Sequence, residues 1–192
     1  MAATMEPVLR DIPLHLETER LVIRCPQPGD GAAVHAGVVE SLAALREFPA
    51  SLPWAMFEPS VDASERHCRE SHGKYLLRTE LNMLLFLKDG GTYVGGSGLH
   101  AIDWTVPRCE TGYWIRTGHR GRGLAAEAVG AITAFALDVL GMRRVQALPD
   151  DENVASCRVC ERAGFVLEGV IRHERVAPDG SLRNTRLYAI TR

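Results

Sequence analysis

Arg120-Gly121-Arg122-Gly123-Leu124-Ala125 joins two glycines and two arginines to the start of an apolar helical run. Glycine lets backbone approach a ligand closely, because no Cβ stands in the way. A helix starting here offers unpaired N–H groups and the positive end of its dipole. With the arginine charge, these features suit an anion, and phosphate best of all. Gly121-x-Gly123-x-x-Ala126 also fits the dinucleotide fingerprint Gly-x-Gly-x-x-Gly/Ala. In that fold the first glycine directly follows a strand. Here Thr117-Gly118-His119-Arg120 intervene, and too little chain follows for a doubly wound sheet. Asp150 would then have to serve as the ribose acid, so an NAD(P)-dependent oxidoreductase is the lesser alternative. A Walker loop is excluded, since no Gly-x-x-x-x-Gly-Lys-Ser/Thr occurs.

Two other patterns carry less. Cys157-x-x-Cys160 has redox spacing, but it falls inside a helical run with no second pair for zinc. His67 and Cys68 are adjacent on a helical run and do not share a face, and His72 does not complete a metal site with them. His100 and His119 read more safely as exposed polar residues, with an approach to the acceptor site as the alternative reading.

The elements that position the loop follow from periodicity and punctuation. Arg20–Arg24 alternates as a strand, closed by Pro26 and Pro28. A helix is expected from Ala32 to about Leu45 with Asp30 near its N-cap, and another from Asp62 or Ala63 to about Arg78. Asn82 to Lys88 and Thr92 to His100 read as strands joined at Asp89-Gly90-Gly91, the second bent at its glycines. Thr111 to Arg116 is a strand ahead of the glycine loop, and the helix after it stops at Gly141. Arg144 to Leu148 is a short strand. Asn153 caps a helix that ends at Gly164. A final hairpin joins Val166–Val176 to Leu182–Ile190 around Pro178-Asp179-Gly180. The whole is a mixed α/β sheet built from hairpins and helical crossovers. Residues 1–16, broken by Pro7 and Pro13, read as a flexible lead-in to a single domain over 17–192.

The chain has 192 residues, enough for a substantial core, and is 46% apolar and 24% charged. A net charge of −2 gives no global case for nucleic-acid binding. No apolar run approaches the ~20 residues of a membrane span, and the N-terminus lacks the apolar core of a signal peptide. Five scattered cysteines suit reduced thiols. The expected location is therefore the cytoplasm.

Four blocks in order give the chain a family resemblance. Arg120-x-x-Gly123-x-Ala125 resembles the Arg/Gln-x-x-Gly-x-Gly/Ala signature of the GNAT superfamily of acetyl-CoA-dependent N-acetyltransferases. Thr18-Glu19-Arg20-Leu21-Val22-Ile23-Arg24 followed by Asp30 looks like the opening of its RimJ/RimL branch. Gly112-Tyr113-Trp114-Ile115 is similar to its fourth strand. Asn153-x-x-Ser156 with Glu161-Arg162-Ala163-Gly164-Phe165 is similar to its next helix and turn. Together they cover about residues 17 to 190. The resemblance implies the α/β GNAT fold: a mixed, mostly antiparallel sheet of six to seven strands, flanked by helices and splayed between the fourth and fifth.

It also implies roles. The backbone of Trp114-Ile115-Arg116 would pair with the pantetheine amides of acetyl-CoA. Main-chain N–H groups from Gly121 through Gly123 and Leu124 to Ala125 would hold the pyrophosphate, with Arg120 and Arg122 adding charge. Asn153 would reach the pantetheine arm or cap its helix. Glu110 is the expected base, though a strand-end carboxylate in solvent explains it equally. Ser156 is the expected acid toward the leaving thiolate, and Tyr188 the reserve. Some relatives carry a glutamate on the penultimate strand where Arg175 stands here, with Glu174 beside it. That departure puts a ribosomal-protein acceptor in doubt. The acceptor would be a primary amine, a peptide N-terminus or a small molecule, held near Trp54, Met56, Phe57 and the loop at Trp104. No metal is expected, and the resemblance admits a homodimer. A non-catalytic CoA-binding regulatory module is the chief alternative.

Overall fold

The structure, a computed structural model, describes residues 6–192. In chain order it contains β1 (His15–Glu17), β2 (Leu21–Arg24), α1 (Gly31–Leu45), α2 (Val61–Leu77), β3 (Leu81–Leu87) and β4 (Tyr93–Asp103). Then follow β5 (Arg108–Ile115), α3 (Leu124–Asp138), β6 (Arg144–Ala147), α4 (Val154–Arg162), β7 (Val166–Val176) and β8 (Leu182–Thr191). All eight strands form one open sheet in the order β1-β2-β3-β4-β5-β6-β8-β7. Every neighbouring pair is antiparallel except β5 with β6.

The sheet has one strand more than the six to seven expected. The addition is β1, three residues long, too short for alternation to register in the sequence. It straddles the end of the expected lead-in, residues 1–16, of which 1–5 are outside the described residues. The described part is tied down: Tyr75 Oη donates to Pro13 O at 2.6 Å, and Arg10 Nη1 to Leu140 O at 2.7 Å.

Alternation along the strands sends side chains to two layers. On one face, α3 buries Ala128, Val129, Ile132 and Ala136 against Leu99, Cys109 and Val145. On the other, α1 buries Val34 and Val38 against Leu84 and Tyr93, with Cys68 of α2. Asp30 precedes α1 as expected but does not cap it with its side chain. Its carboxylate takes Arg24 in a two-pronged pair, and Glu65 of α2 accepts from Gly29 N and Gly31 N instead.

One departure from regular pairing shapes the molecule. β6 pairs β5 only from Arg108↔Arg144 to Glu110↔Gln146. β5 runs on to Ile115 against β4 alone. The sheet therefore opens a gap beyond Glu110, the splay expected between the fourth and fifth strands of the family's numbering.

Candidate active site

A cavity of about 1130 Å³ occupies this gap and continues across the α1 face of the sheet. The glycine loop lines one end. Gly121 and Gly123 have φ of 74° and 80°, in the left-handed region where glycine is favoured. A Cβ on Gly121 would have nothing within 4 Å, so the loop leaves open space in front of it. Gly123 is the N-cap of α3 and no side chain caps that helix. The first-turn N–H groups, Leu124 to Ala126, therefore point outward without intrahelical acceptors.

The loop is held from behind. Glu127 accepts from Thr18 Oγ1 at 2.5 Å, Arg20 N at 2.9 Å and Arg20 Nε at 2.6 Å. The same guanidinium donates from Nη1 to Arg122 O at 2.8 Å. Burial raises the Glu127 carboxyl, but the Thr18 and Arg20 bonds outweigh it and hold the group below its ordinary range. Arg120 lines the cavity; Arg122 does not, and its Nη1 lies 3.2 Å from His119 Nδ1.

Along the gap, strand geometry selects which backbone groups are free. Arg116 N donates to Val94 O, and Trp114 pairs Gly96. Backbone direction alternates along an antiparallel strand. Trp114 and Arg116 are thus turned toward β4, while Tyr113 and Ile115 face the gap. Of the expected backbone trio Trp114-Ile115-Arg116, Ile115 presents its backbone to the gap, joined by Tyr113, while Trp114 and Arg116 spend theirs on β4. Arg116's side chain turns to α1, with Nε 2.5 Å from Glu40 Oε2. At the splay itself, Thr111 is among the lining residues, and its Oγ1 is sealed from the cavity without a hydrogen-bond partner. An open glycine cradle, an uncapped helix start and gap-facing backbone on β5 together fit a ligand with amides and phosphates, as acetyl-CoA has.

Asn153 and Ser156 face the gap from α4. Asn153 Oδ1 accepts from Ser156 N at 3.0 Å, so it does cap the helix. Ser156 Oγ is 2.8 Å from Tyr113 Oη, which also lies 3.2 Å from Cys160 Sγ. Burial pushes the Cys160 thiol up to about 11 and raises Cys157 as well, so both cysteines are inert packing. Tyr188 Oη donates to Glu161 at 3.0 Å, beneath the sheet surface.

Glu110 stands where β5 and β6 part. Its Oε1 is 3.0 Å from His100 Nε2, and its Oε2 accepts from Gln146 Nε2 at 3.4 Å. Burial raises its carboxyl, but the His100 bond and charge, Gln146 and the charge of Arg175 outweigh it, leaving it below the usual range. Beyond this pair the cavity floor is bare backbone at Gly96, Gly98 and Gly112. Trp114 lies over Gly96, whose Cβ would meet Nε1 at 3.1 Å. It packs against Trp54 and Tyr93 at centroid distances of 6.2 and 6.0 Å, forming an aromatic wall.

Trp54 and Phe57 line the cavity as expected, whereas Met56 and Trp104 do not. Trp104 packs under Arg10 at 4.7 Å and donates to Arg78 O, away from the cleft. Arg175 does face the cavity, bonded to Ser51 Oγ at 2.9 Å, and Glu174 is turned to Thr185. The dinucleotide alternative fails on the sheet, which is not doubly wound, and on Asp150, whose carboxylate is taken by Arg183 and Glu152 N. Among the described residues, no three His, Cys, Asp or Glu side chains gather as metal ligands, and no helix is long and apolar enough to cross a membrane.

Known proteins with this arrangement agree among themselves. Residues 20–166 match the family model of the Acetyltransferase (GNAT) domain. The uncharacterized N-acetyltransferase YoaA of Bacillus subtilis (strain 168) is 30% identical over 105 residues, which span 55% of this chain and 59% of that protein. The chain spans about half the length of the first curated relatives it matches. Among solved structures, the microcin C7 self-immunity acetyltransferase MccE, in complex with acetyl-CoA and AMP, has a TM-score of 0.82 at 17% identity. The match covers 91% of this chain and 94% of that one. RimL, the ribosomal L7/L12 alpha-N-protein acetyltransferase in complex with coenzyme A, also has a TM-score of 0.82, at 22% identity, covering 94% of this chain and 97% of that one. At such identities these two likenesses speak for the fold.

Proposed function

The chain belongs to the GNAT acetyltransferase family, and from that membership we propose that it transfers an acetyl group from acetyl-CoA to a primary amine by direct attack on the thioester. The observation that carries the reading is the gap beyond Glu110, which runs unbroken to the uncapped start of α3. Bound acetyl-CoA supplies an acetyl thioester with a thiolate as leaving group. The N–H groups of the Gly121–Ala126 turn hold its pyrophosphate, with Arg120 beside them. The gap-side backbone of Tyr113 and Ile115 takes the pantetheine amides as an added strand would. A free N–H there also suits the charge that develops on the carbonyl oxygen.

Glu110 with its partner His100 forms the proton-accepting end, and Ser156, backed by Tyr113, forms the proton-donating end. An α-amine, with a pKa of ~8, is easier to use than a lysine side chain at ~10.4. Acceptors are peptide N-termini or small amines whose apolar part lies along Trp54 and Trp114. No metal enters this reading. A homodimer and a cytoplasmic location belong to the same proposal. Light scattering reads the first; the five cysteines, all free thiols, favour the second.

Calorimetry with acetyl-CoA, followed by thiol release from a panel of short peptides and small primary amines, tests the proposal. Micromolar acetyl-CoA binding and turnover with at least one amine are expected. Absence of binding defeats it, and binding without turnover on any amine leaves the regulatory CoA-binding module as the better reading.

The clamp behind the loop makes a second prediction. Glu127→Ala strands the Thr18 hydroxyl and two Arg20 donors. Losing these bonds costs about 1–3 kcal/mol, which lowers Tm by roughly 3–10 °C in a chain of this size. With the loop less fixed, Kd for CoA is expected to rise about tenfold. An unchanged Kd alongside the lower Tm would show that the loop keeps its shape without the clamp.

A further inference from the structure

We propose that His100 is the group that takes the proton from the acceptor amine, with Glu110 as the positioning residue behind it; the inference rests on the acyl-transfer reading above. His100 of β4 and Glu110 of β5 are direct cross-strand partners, so their side chains rise from the same face of the sheet. A carboxylate only accepts, so the proton in the 3.0 Å contact belongs to His100 Nε2. In the neutral ring this leaves Nδ1 as a bare lone pair. Among the described residues, the contact with Glu110 is the one hydrogen bond the ring makes.

The surroundings place the Nδ1 edge of the ring beside a glycine rather than against a packed side chain. The ring lies over Gly112, where a Cβ would stand 3.3 Å from Cε1 and 3.9 Å from Nδ1. Both residues line the cavity. The His100 side chain is 40% exposed and that of Glu110 18%, so the imidazole is the member of the pair that a ligand meets first. Immediately after His100 the pairing with β5 slips, and Ala101 adopts φ of 47°. A left-handed alanine is strained, and strain of this kind persists where the surrounding structure over-determines the backbone.

The chemistry favours the same assignment. Both Glu110 oxygens are engaged, by His100 Nε2 and by Gln146 Nε2 of β6, and with the ring neutral the facing charge is Arg175 of β7. A carboxylate held below its ordinary range with both oxygens engaged is a poor proton acceptor, whereas the imidazole keeps one nitrogen free to accept. Nδ1 accepts the proton that the amine sheds as its nitrogen pair forms the C–N bond. The C–S bond breaks with its electron pair left on sulfur, and the imidazolium, held by Glu110, returns its proton to solvent.

The test compares His100→Gln with Glu110→Gln at saturating acetyl-CoA, using the best amine of the panel across pH 5.5 to 9. His100→Gln is expected to lower kcat by on the order of 10²-fold and to abolish the fall in kcat on the acid side. Glu110→Gln is expected to keep that acid limb and lose about tenfold, within the range of a positioning role. Calorimetric affinity for acetyl-CoA should be unchanged in both, which also shows that they fold. Nitrogen-15 NMR of the labelled wild type, with His100→Gln identifying the signals, should find Nε2 protonated and Nδ1 bare. The reverse order of kcat losses, or a ring protonated at Nδ1, overturns the role of His100. A wild-type chain that turns over no amine sinks the acyl-transfer reading itself.

Discussion

Gly123→Val is expected to raise Kd for CoA by about 10- to 50-fold, while Gly123→Asn stays within about threefold of wild type. The reason is conformation rather than space. Gly123 sits at φ 80° and ψ 1° as the N-cap of α3. A Cβ there would meet only Arg20 Nη2 at 3.5 Å, an ordinary contact. The left-handed region costs an L-residue roughly 1–2 kcal/mol, more when the side chain is β-branched, whereas asparagine tolerates it. A valine chain escapes the strain by reshaping the loop, and binding must then restore the shape that converges the first N–H groups of α3. The lost affinity measures that restoration. Calorimetry across Gly, Asn, Ala and Val therefore orders the variants by conformation. A size effect would instead place alanine ahead of asparagine, and that order would refute the account.

The glycine loop was legible because its chemistry is local: glycine, charge and a helix start lie within six residues. The strands and helices around it were legible for the same reason, through periodicity and through breakers such as Gly141 and Gly164. What the sequence hid depends on register. His100 and Glu110 are ten residues apart, and they face each other only because β4 and β5 pair His100↔Glu110 ahead of a slip at Ala101. Periodicity gives a residue's face and says nothing of its partner. Which of Trp114, Ile115 and Arg116 turns its backbone to the gap is set by the same pairing. The Arg175 and Glu174 pair turns on a second slip between Ile171 and Arg175, with His173 at φ 53°. The family resemblance points the loop at Trp104 toward the acceptor, whereas the fold packs that ring under Arg10. The Thr18-Glu19-Arg20 block marked the family, but its physical task, fixing Glu127 more than 100 residues away, needed the fold.

Asp150→Ala is expected to destabilise the chain by about 2–4 kcal/mol, and Asp150→Asn by a similar amount. The Asp150 side chain is 1% exposed and binds Arg183 through both oxygens, at 3.0 Å to Nε and 2.7 Å to Nη2, while also accepting from Glu152 N. Alanine leaves the guanidinium with Glu152, whose side chain is 72% exposed, as its remaining partner. Asparagine turns an amide donor toward a guanidinium that can only donate. Arg183 is itself 21% exposed and recovers some water, which keeps the loss below that of a sealed pair. The expected fall in Tm is roughly 5–15 °C at pH 7. Burial raises the Asp150 carboxyl, but the Arg183 and Glu152 bonds outweigh it, so its folded pKa lies below the unfolded value of ~3.9. A lowered carboxyl contributes stability that is fully present above the unfolded pKa and is lost as pH falls through the folded one. The gap in stability between wild type and Asp150→Asn should therefore be flat from pH 5 to 8 and narrow below about pH 4. Because other paired carboxylates such as Asp30 and Glu127 are common to both chains, their acid losses cancel in the difference. A gap that stays constant down to pH 2.5 would mean that the charge of Asp150 contributes nothing and that shape alone holds this wall of the cleft to β8.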